Sequence, residues 1–190
     1  MNGEPKVGCR HVSNYSYGQL IKKSIKFMYI RATTPADLSE MSAIYDYAIS
    51  FMHSHGNPHQ WVNGYPSVQL LREDINLCRS YVCVNEWGWI VGVFCLIYGE
   101  EPSYRRIMGH WLNDLPYATI HRVASSGSQH GVFKACADWC KQQCPNLRID
   151  THEDNKIMQS AVLRNGFQRC GIVHLEDGSP RIAYQWSAAE

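Results

Sequence analysis

The sequence predicts a single α/β domain built on a mixed β-sheet. Residues 117–167 follow the order strand, glycine-containing turn, helix, strand and helix, which is typical of a βαβ unit with a parallel pair of strands. Runs rich in β-branched and aromatic residues at 81–98 and 167–186 are each interrupted by a turn, which predicts antiparallel hairpins on both sides of that unit. A length of 190 residues suits one well-packed domain. We therefore predict antiparallel strands, a parallel central pair and flanking helices in one fold.

Local start and stop signals set the limits of the predicted elements. Thr34 and Pro35 are the N-cap and first-turn residues expected at the start of a helix, and Gly56 ends the apolar pattern of that helix. Pro145 and Gly166 end the two later helices. In chain order, the predicted elements occupy residues 29–32 (strand), 34–52 (helix), 67–78 (helix), 81–86 (strand), 89–98 (strand), 117–124 (strand), 132–144 (helix), 147–150 (strand), 155–164 (helix), 167–175 (strand) and 181–186 (strand).

Composition and charge argue against several classes of protein. Hydrophobic residues make up 45% of the chain and charged residues 18%, which is typical of a globular protein. The formal net charge of +1 gives no reason to expect binding to nucleic acid or to a membrane surface. No apolar run reaches the ~18 residues of a membrane span. The eight cysteines lie mostly within apolar runs and no secretory signal is visible, so we expect reduced thiols and a cytoplasmic location.

Residues 1–27 differ in composition from the rest of the chain. They carry five basic residues against the single acid Glu4, which gives this segment a net charge of +4. Its pattern is polar and weak, whereas a clean strand pattern begins directly after Met28. We therefore divide the chain into a basic N-terminal extension, residues 1–27, and one domain, residues 28–190. We expect the extension to be dispensable for folding, either as a loosely held tail or as a leader upstream of the natural start.

The turn after the strand at 117–124 is a predicted anion site. This turn is polar, contains Gly127 and Gly131, and leads directly into a helix. The first backbone N–H groups of a helix lack intrahelical partners and point, with the helix dipole, toward a bound anion. We therefore expect the N–H groups of residues 129–133 to hold an anion, with Gly131 permitting a close approach of the backbone.

Two short motifs lie in this central segment. The first is a strand with Val123 near its end, followed by the loop Ser128-Gln129-His130-Gly131-Val132-Phe133. The second is Asn155, followed eleven and twelve residues later by Gly166 and Phe167 with an apolar helix between them. Together with the order of elements, these motifs resemble those of the GNAT acetyltransferases, and the resemblance covers residues 29–186.

The chain departs from the GNAT pattern at three positions. Within the loop motif Gly131 matches, whereas Ser128 stands where the family usually has Gln or Arg and Phe133 stands where it has a small residue. Seven residues after Asn155 the family often has a Tyr that protonates the leaving thiolate, and this chain has Val162. We therefore expect the thiolate, whose pKa as a free thiol is near 8.5, to leave without a side-chain acid.

The resemblance implies a GNAT-like acyl-CoA N-acyltransferase fold, acetyl-CoA as the acyl donor, and no metal. The diphosphate of coenzyme A would lie on the loop before the helix, and a backbone N–H near Val123 and Ala124 would donate to the thioester carbonyl. Asn155 would contact the cofactor or, on the alternative interpretation, only cap its own helix. The residues expected at the cofactor are Val123, Ala124, Ser128, Gln129, His130, Gly131, Val132, Phe133 and Asn155.

Three side chains are candidates for receiving the proton of the acceptor amine. His121 lies on the strand before the loop, and His152 follows the strand at 147–150, where ligands meet the carboxyl ends of parallel strands. Tyr117 is a third candidate, as a relay or as a wall of the pocket. Histidine titrates near neutrality, which suits a general base. On the alternative interpretation His121 packs or faces solvent, and His152 fixes a turn.

The acceptor is expected to be a primary amine on a small molecule or an amino-acid-like compound. The long connection 99–115 carries aromatic residues, which is typical of a functional loop. We expect Trp61, Tyr104 and Trp111 to bind the acceptor, with nearby carboxylates attracting its ammonium group. The alternatives are that these aromatic residues belong to the core, or that the site is a flat groove for a peptide. Either a monomer or a homodimer is consistent with the sequence.

Other interpretations of single features have weaker support. His53, His55 and His59 in one loop, and Cys136, Cys140 and Cys144 on one helix, have spacings that invite a metal site, but loop histidines at a pocket and a packed helix face explain them as well. A dinucleotide site lacks its three-glycine spacing. A non-catalytic acyl-CoA-binding or protein-interaction module on the same fold is the main alternative to an enzyme.

Overall fold

The computed structural model describes residues 28–188 as one eight-stranded sheet with four helices. The strand order is β1-β2-β3-β5-β6-β8-β7-β4. In chain order the elements are β1 (Met28–Ala32), α1 (Leu38–Ser54), α2 (Val68–Asn76), β2 (Ser80–Asn85), β3 (Ile90–Tyr98), β4 (Met108–Gly109), β5 (Ala118–Ser125), α3 (Val132–Gln143), β6 (Asn146–Thr151), α4 (Lys156–Arg164), β7 (Gln168–His174) and β8 (Pro180–Ser187). Our expectations for residues 1–27 lie outside the described residues.

The mixed sheet predicted from the sequence is confirmed. β5 and β6 pair in parallel, and the other six neighbouring pairs in the sheet are antiparallel. The right-hand partner of each hairpin follows from its turn: β2 pairs with β3 around Gly88, and β7 pairs with β8 across the turn before Pro180. The parallel pair therefore lies at the centre of the sheet, as the βαβ order predicts.

The connection at 99–115 contains more structure than the sequence indicated. Residues Pro102–Tyr104 form a short 3-10 turn, and β4 adds an eighth strand at the sheet edge by pairing with β7. This contact requires a close approach of two backbones, because a Cβ on Gly171 would collide with the carbonyl oxygen of Met108. A two-residue strand at a glycine pair carries too weak a sequence pattern to be predicted.

Helices cover both faces of the sheet. On one face α3 is the main cover, and its Cys136 and Cys140 are fully buried in the core. Burial raises the pKa of the Cys136 thiol, so these cysteines behave as small apolar residues. On the other face α1 and α2 pack Tyr45 and Leu71 against β2 and β3. In the described part of the chain, no helix is both long and apolar enough to cross a membrane.

A charged turn fixes the start of α1. Thr34 precedes a 3-10 turn, Pro35–Asp37, and the carboxylate of Asp37 accepts the backbone N–H of Thr34 at 2.7 Å. Both guanidinium NH₂ groups of Arg31 donate to the same carboxylate at 2.8 Å. The hydrogen bond from Arg31, with those from Thr34, lowers the pKa of Asp37 to about 2. The N-cap position predicted at Thr34 is confirmed, although it caps this turn rather than α1 itself.

Candidate active site

The parallel strands at the centre of the sheet diverge and open a cleft. Ala118 and Thr119 of β5 pair with Leu147 and Arg148 of β6, but β5 continues for six residues beyond this pairing. The cleft between the diverging strands has a volume of about 1280 Å³. A single small ligand occupies roughly 300–1,000 Å³, so this cleft has room for a large ligand or for two ligands together.

A β-bulge in β5 shapes the wall of the cleft. Arg122 and Val123 stand opposite the single residue Phe94 of β3, and Arg122 adopts a φ of +52°. Val123 packs toward α3, whereas Arg122 bonds to α2 on the other face. His121 shares the α2 face, because its cross-strand partner donates a thiol hydrogen bond to α2. Two consecutive side chains therefore point to one side, which a regular strand does not allow.

A buried ion pair holds this bulge. Asp74 of α2 is fully buried, and its Oδ1 accepts from Arg122 Nη2 at 2.9 Å and from Arg79 Nε at 2.6 Å. The other NH₂ group of Arg122 donates to the Tyr65 hydroxyl at 3.2 Å, and Tyr65 lines the cleft. Removing one partner of a buried pair is costly, so this network fixes the backbone of β5 at the cleft.

His121 meets a carboxylate inside the cleft. Its Nε2 lies 3.1 Å from Oε2 of Glu101, and both residues line the cleft. The hydrogen bond with His121 lowers the pKa of Glu101, so this carboxyl is charged at neutral pH. Glu101 is held in turn, because its Oε1 accepts the N–H of Ser103 and its own N–H donates to the Tyr117 hydroxyl. An imidazole beside an anchored carboxylate is suited to accept a proton.

The aromatic residues expected at the acceptor lie behind this wall. Tyr104 is buried, and its hydroxyl donates to Asp150 Oδ1 at 2.6 Å. Burial raises the pKa of Tyr104 well above its ordinary value, which keeps the hydroxyl neutral. The rings of Trp111 and Tyr117 lie on the guanidinium of Arg148, each with its centroid 3.9 Å away. Asp150 lines the cleft, whereas these three aromatic side chains lie outside its lining and support Asp150 and Glu101.

The start of α3 forms the opposite end of the cleft. Gly131 is the N-cap of α3 with a φ of +87°, and no side chain of the described residues caps this helix. The first N–H groups of α3 therefore remain available to an anion. Residues 129–133 all line the cleft, as do Val123 and Ala124 of β5. Ser128 lies outside the lining, and its hydroxyl is 2.7 Å from that of Ser126.

Asn155 has two structural partners at the edge of the cleft. Its Oδ1 accepts the N–H of Met158, which makes it the N-cap of α4, and its amide donates to Gln60 Oε1 at 2.8 Å. Gln60 also accepts from Asn57 and Thr151, so it joins the loop before α2 to β6 and α4. Asn155 lines the cleft as well, and the capping interpretation is therefore realised without excluding contact with a ligand.

His152 and Trp61 occupy different surroundings. His152 lies outside the cleft lining, and its Nδ1 accepts the N–H of Asp154 at 3.2 Å, so it fixes a turn. Burial and the nearby Arg181 lower the pKa of His152, which keeps its imidazole neutral. Trp61 lines the cleft, with its ring 5.7 Å from that of Tyr45.

The end of the cleft near α4 offers apolar and cationic residues. Val162 is completely buried in the core, while its neighbour Ala161 lines the cleft. Lys156 and Arg164 of α4 line the cleft beside Ala161 and bring positive charge to the same end as the N-terminus of α3. The sequence analysis did not single out these two cations, because a charged residue on a helix is usually part of a solvated face.

Residues 28–188 contain no group of three or more His, Cys, Asp or Glu side chains that could hold a metal ion. His53, His55 and His59 lie within this range, and the ring of His55 stacks on Phe51 with centroids 3.9 Å apart. His59 and His55 line the cleft, where the sequence analysis expected loop histidines.

Several solved structures share this fold. A GNAT-family acetyltransferase from Streptococcus agalactiae 2603 superposes with a TM-score of 0.79 and 29% identity, covering 86% of this chain and 96% of its own. The chain belongs to the GNAT superfamily. A GNAT-family acetyltransferase from Listeria monocytogenes 4b F2365 has a TM-score of 0.63 and 19% identity over 84% of this chain and 94% of its own.

A more distant structure with this GNAT fold was solved with a cofactor. A chain of the NatC complex bound to Gag peptide and CoA has a TM-score of 0.54 and 12% identity, covering 84% of this chain and 98% of its own. No family model matches the sequence, and no curated protein matches it. The GNAT relatives are acetyltransferases, which supports acyl transfer as the class of activity.

Proposed function

We propose that this GNAT protein transfers an acetyl group from acetyl-CoA to the primary amine of a small, amino-acid-like acceptor. The observation that carries the proposal is the cleft between β5 and β6. At one end the uncapped N-terminus of α3 faces the cleft, and the paired Glu101 and His121 lie on its wall. We call the first the donor end, residues 123–133 with α4, and the second the acceptor end, residues 100–103, 149–150 and 175–181.

The donor end suits the groups of coenzyme A. The diphosphate would accept hydrogen bonds from the N–H groups of residues 129–133, and Lys156 adds positive charge nearby. Beyond Thr119 the edge of β5 is not covered by β6, so its backbone can pair with the amide groups of the pantetheine arm. The thioester carbonyl would then lie near Val123, where a backbone N–H can stabilise the developing oxyanion.

The acceptor end suits proton removal from an amine. A neutral amine forms the C–N bond with the thioester carbonyl carbon, and the C–S bond breaks as the tetrahedral intermediate collapses. His121 accepts the proton that the amine loses, and the Glu101 carboxylate stabilises the resulting imidazolium. Val162 is buried, so the coenzyme A thiolate leaves as an anion and is protonated by solvent.

Charge in the cleft favours an ammonium ligand at the acceptor end. The carboxylates that line this end are Glu100, Glu101, Asp150, Glu176 and Asp177. Such a group of carboxylates attracts a protonated amine and raises its local concentration. The size of the cleft leaves room for a small acceptor beside the pantetheine arm.

Two measurements on the full chain test this proposal. Calorimetry with acetyl-CoA measures binding, and an assay of thiol release with a panel of small amines and of lysine-containing peptides measures transfer. We expect acetyl-CoA to bind and a small amine to be acetylated. Binding without transfer to any amine would support the non-catalytic alternative, and transfer to peptides alone would contradict a small acceptor.

A further inference from the structure

Arg181 is a buried cation that faces the acceptor end of the cleft. Its side chain lines the cleft although the residue is only 6% exposed. Its two NH₂ groups donate to backbone carbonyl oxygens, at 2.8 Å to Pro180 and at 3.5 Å to Gln60. None of the ion pairs among residues 28–188 includes Arg181.

The other two buried arginines are compensated within the protein. Arg122 pairs with the carboxylate of Asp74, and Arg148 lies between two aromatic rings. Burying a charge without such compensation is unfavourable. Arg181 therefore differs from both, because its positive charge is removed from bulk water, opens onto a cleft and lacks an anionic partner in the described chain.

The sheet places Arg181 beside the other groups of the acceptor end. Asp150 of β6 pairs with Ala183 of β8, and Arg181 lies two residues before Ala183 on the same face of β8. Arg181 is thus the diagonal neighbour of Asp150, with Cα atoms roughly 7–8 Å apart, a distance that long side chains reach across. His121 belongs to the same group, because its ring lies 6.4 Å from the Tyr104 ring that supports Asp150.

We propose that Arg181 binds the carboxylate of the acceptor, and that the acceptor is an α-amino acid or a close analogue. The guanidinium presents a planar pair of donors that matches a carboxylate. With the carboxylate on Arg181, the amine of a short amino acid lies toward Asp150 and the His121–Glu101 pair, where it attacks the thioester. The inference rests on the acetyl transfer proposed above and adds the class of acceptor.

The test compares acceptors that differ only in the carboxylate. Each α-amino acid is assayed with its primary carboxamide, using the full chain and the variant Arg181→Met, which keeps the length of the side chain without its charge. We expect Arg181→Met to lower kcat/KM for the free acids about 100-fold and to leave that for the amides within about threefold. Arg181→Lys, which keeps the charge without the planar donors, is expected to recover part of the lost activity toward the acids.

The ratio between acid and amide separates the possible outcomes. Because the amine of an amide is less basic, the quantity that decides is the change in this ratio between wild type and variant. An equal loss for acids and amides would overturn the assignment and leave Arg181 as a support of the loop at Gln60. If Arg181→Met does not fold, wild-type enzyme that acetylates amides as well as acids would overturn it. A lack of transfer to every amine would instead contradict acetyl transfer itself.

Discussion

The Nε2 atom of His121 lies 3.1 Å from Oε2 of Glu101, which joins the wall of β5 to the loop that follows β3. If His121 accepts the amine proton, His121→Ala lowers kcat/KM about 100-fold near pH 7. The loss becomes smaller at high pH, because the amine is then already neutral. A pH–rate profile of the variant measures this dependence.

His152 supplies the matched control for that experiment. It is also a histidine of the central segment, but it lies outside the cleft lining and accepts a hydrogen bond within its own turn. We expect His152→Ala to change kcat/KM less than about threefold at any pH, provided that the variant folds. A loss with the pH dependence expected of His121→Ala would assign the proton to His152 instead.

The Glu101 carboxyl reports on the same pair without any assay of activity. The hydrogen bond with His121 lowers the pKa of Glu101 below its ordinary value. In His121→Ala this bond is lost, so the pKa of Glu101 should rise, and protonation should occur at a higher pH than in the wild type. An NMR titration of the carboxyl carbon measures this change. An unchanged or lower pKa would show that the two side chains do not interact in solution.

Gly131→Glu tests the donor end. The substitution places a negative charge and a side chain at the N-cap of α3, in a backbone conformation with φ of +87°. We expect the affinity for acetyl-CoA, measured by calorimetry, to fall at least about tenfold, or 1.4 kcal/mol. Gly88→Glu is the matched control, since Gly88 has a φ of +83° in the β2–β3 turn outside the cleft lining. Equal losses in both variants would contradict binding at α3.

Asp37 links stability to pH at the start of α1. Its pKa in the folded protein is about 2, below the ordinary value of 3.8. The carboxylate therefore contributes stability that is fully present above about pH 4 and is lost as the pH falls toward 2. Asp37→Asn should cost about 1 kcal/mol at pH 6, a shift of a few degrees in Tm, and nearly nothing at pH 2. Thermal melts of both proteins across this range measure the difference, and a constant difference would contradict the ion pair with Arg31.

Much of the fold could be predicted because its signals are local. Thr34 and Gly131 stand at the starts of a turn and a helix, and Gly166 follows the end of α4. Each such signal depends on the chemistry of a few consecutive residues. The parallel pairing of β5 and β6 followed in turn from the strand–helix–strand order of the central segment.

The acceptor end depends on contacts between distant parts of the chain, which local patterns do not encode. The pairing of Glu101 with His121 depends on the bulge at Arg122, and that bulge depends on Asp74 in α2. Strand alternation without a bulge gives no reason to place His121 and Arg122 on one face. For the same reason the sequence indicated Tyr104 at the acceptor, whereas the structure buries it behind the cleft with its hydroxyl on Asp150.

The most direct test of the account follows isotope-labelled acetyl groups from acetyl-CoA into products. The full chain is incubated with labelled acetyl-CoA and a mixture of amino acids and other small amines, and the products are identified by mass spectrometry. We expect the label in an amide bond to the nitrogen of a small acceptor, with the rate lowered about 100-fold in His121→Ala. Folded protein that binds acetyl-CoA but leaves every small amine unlabelled would contradict the account.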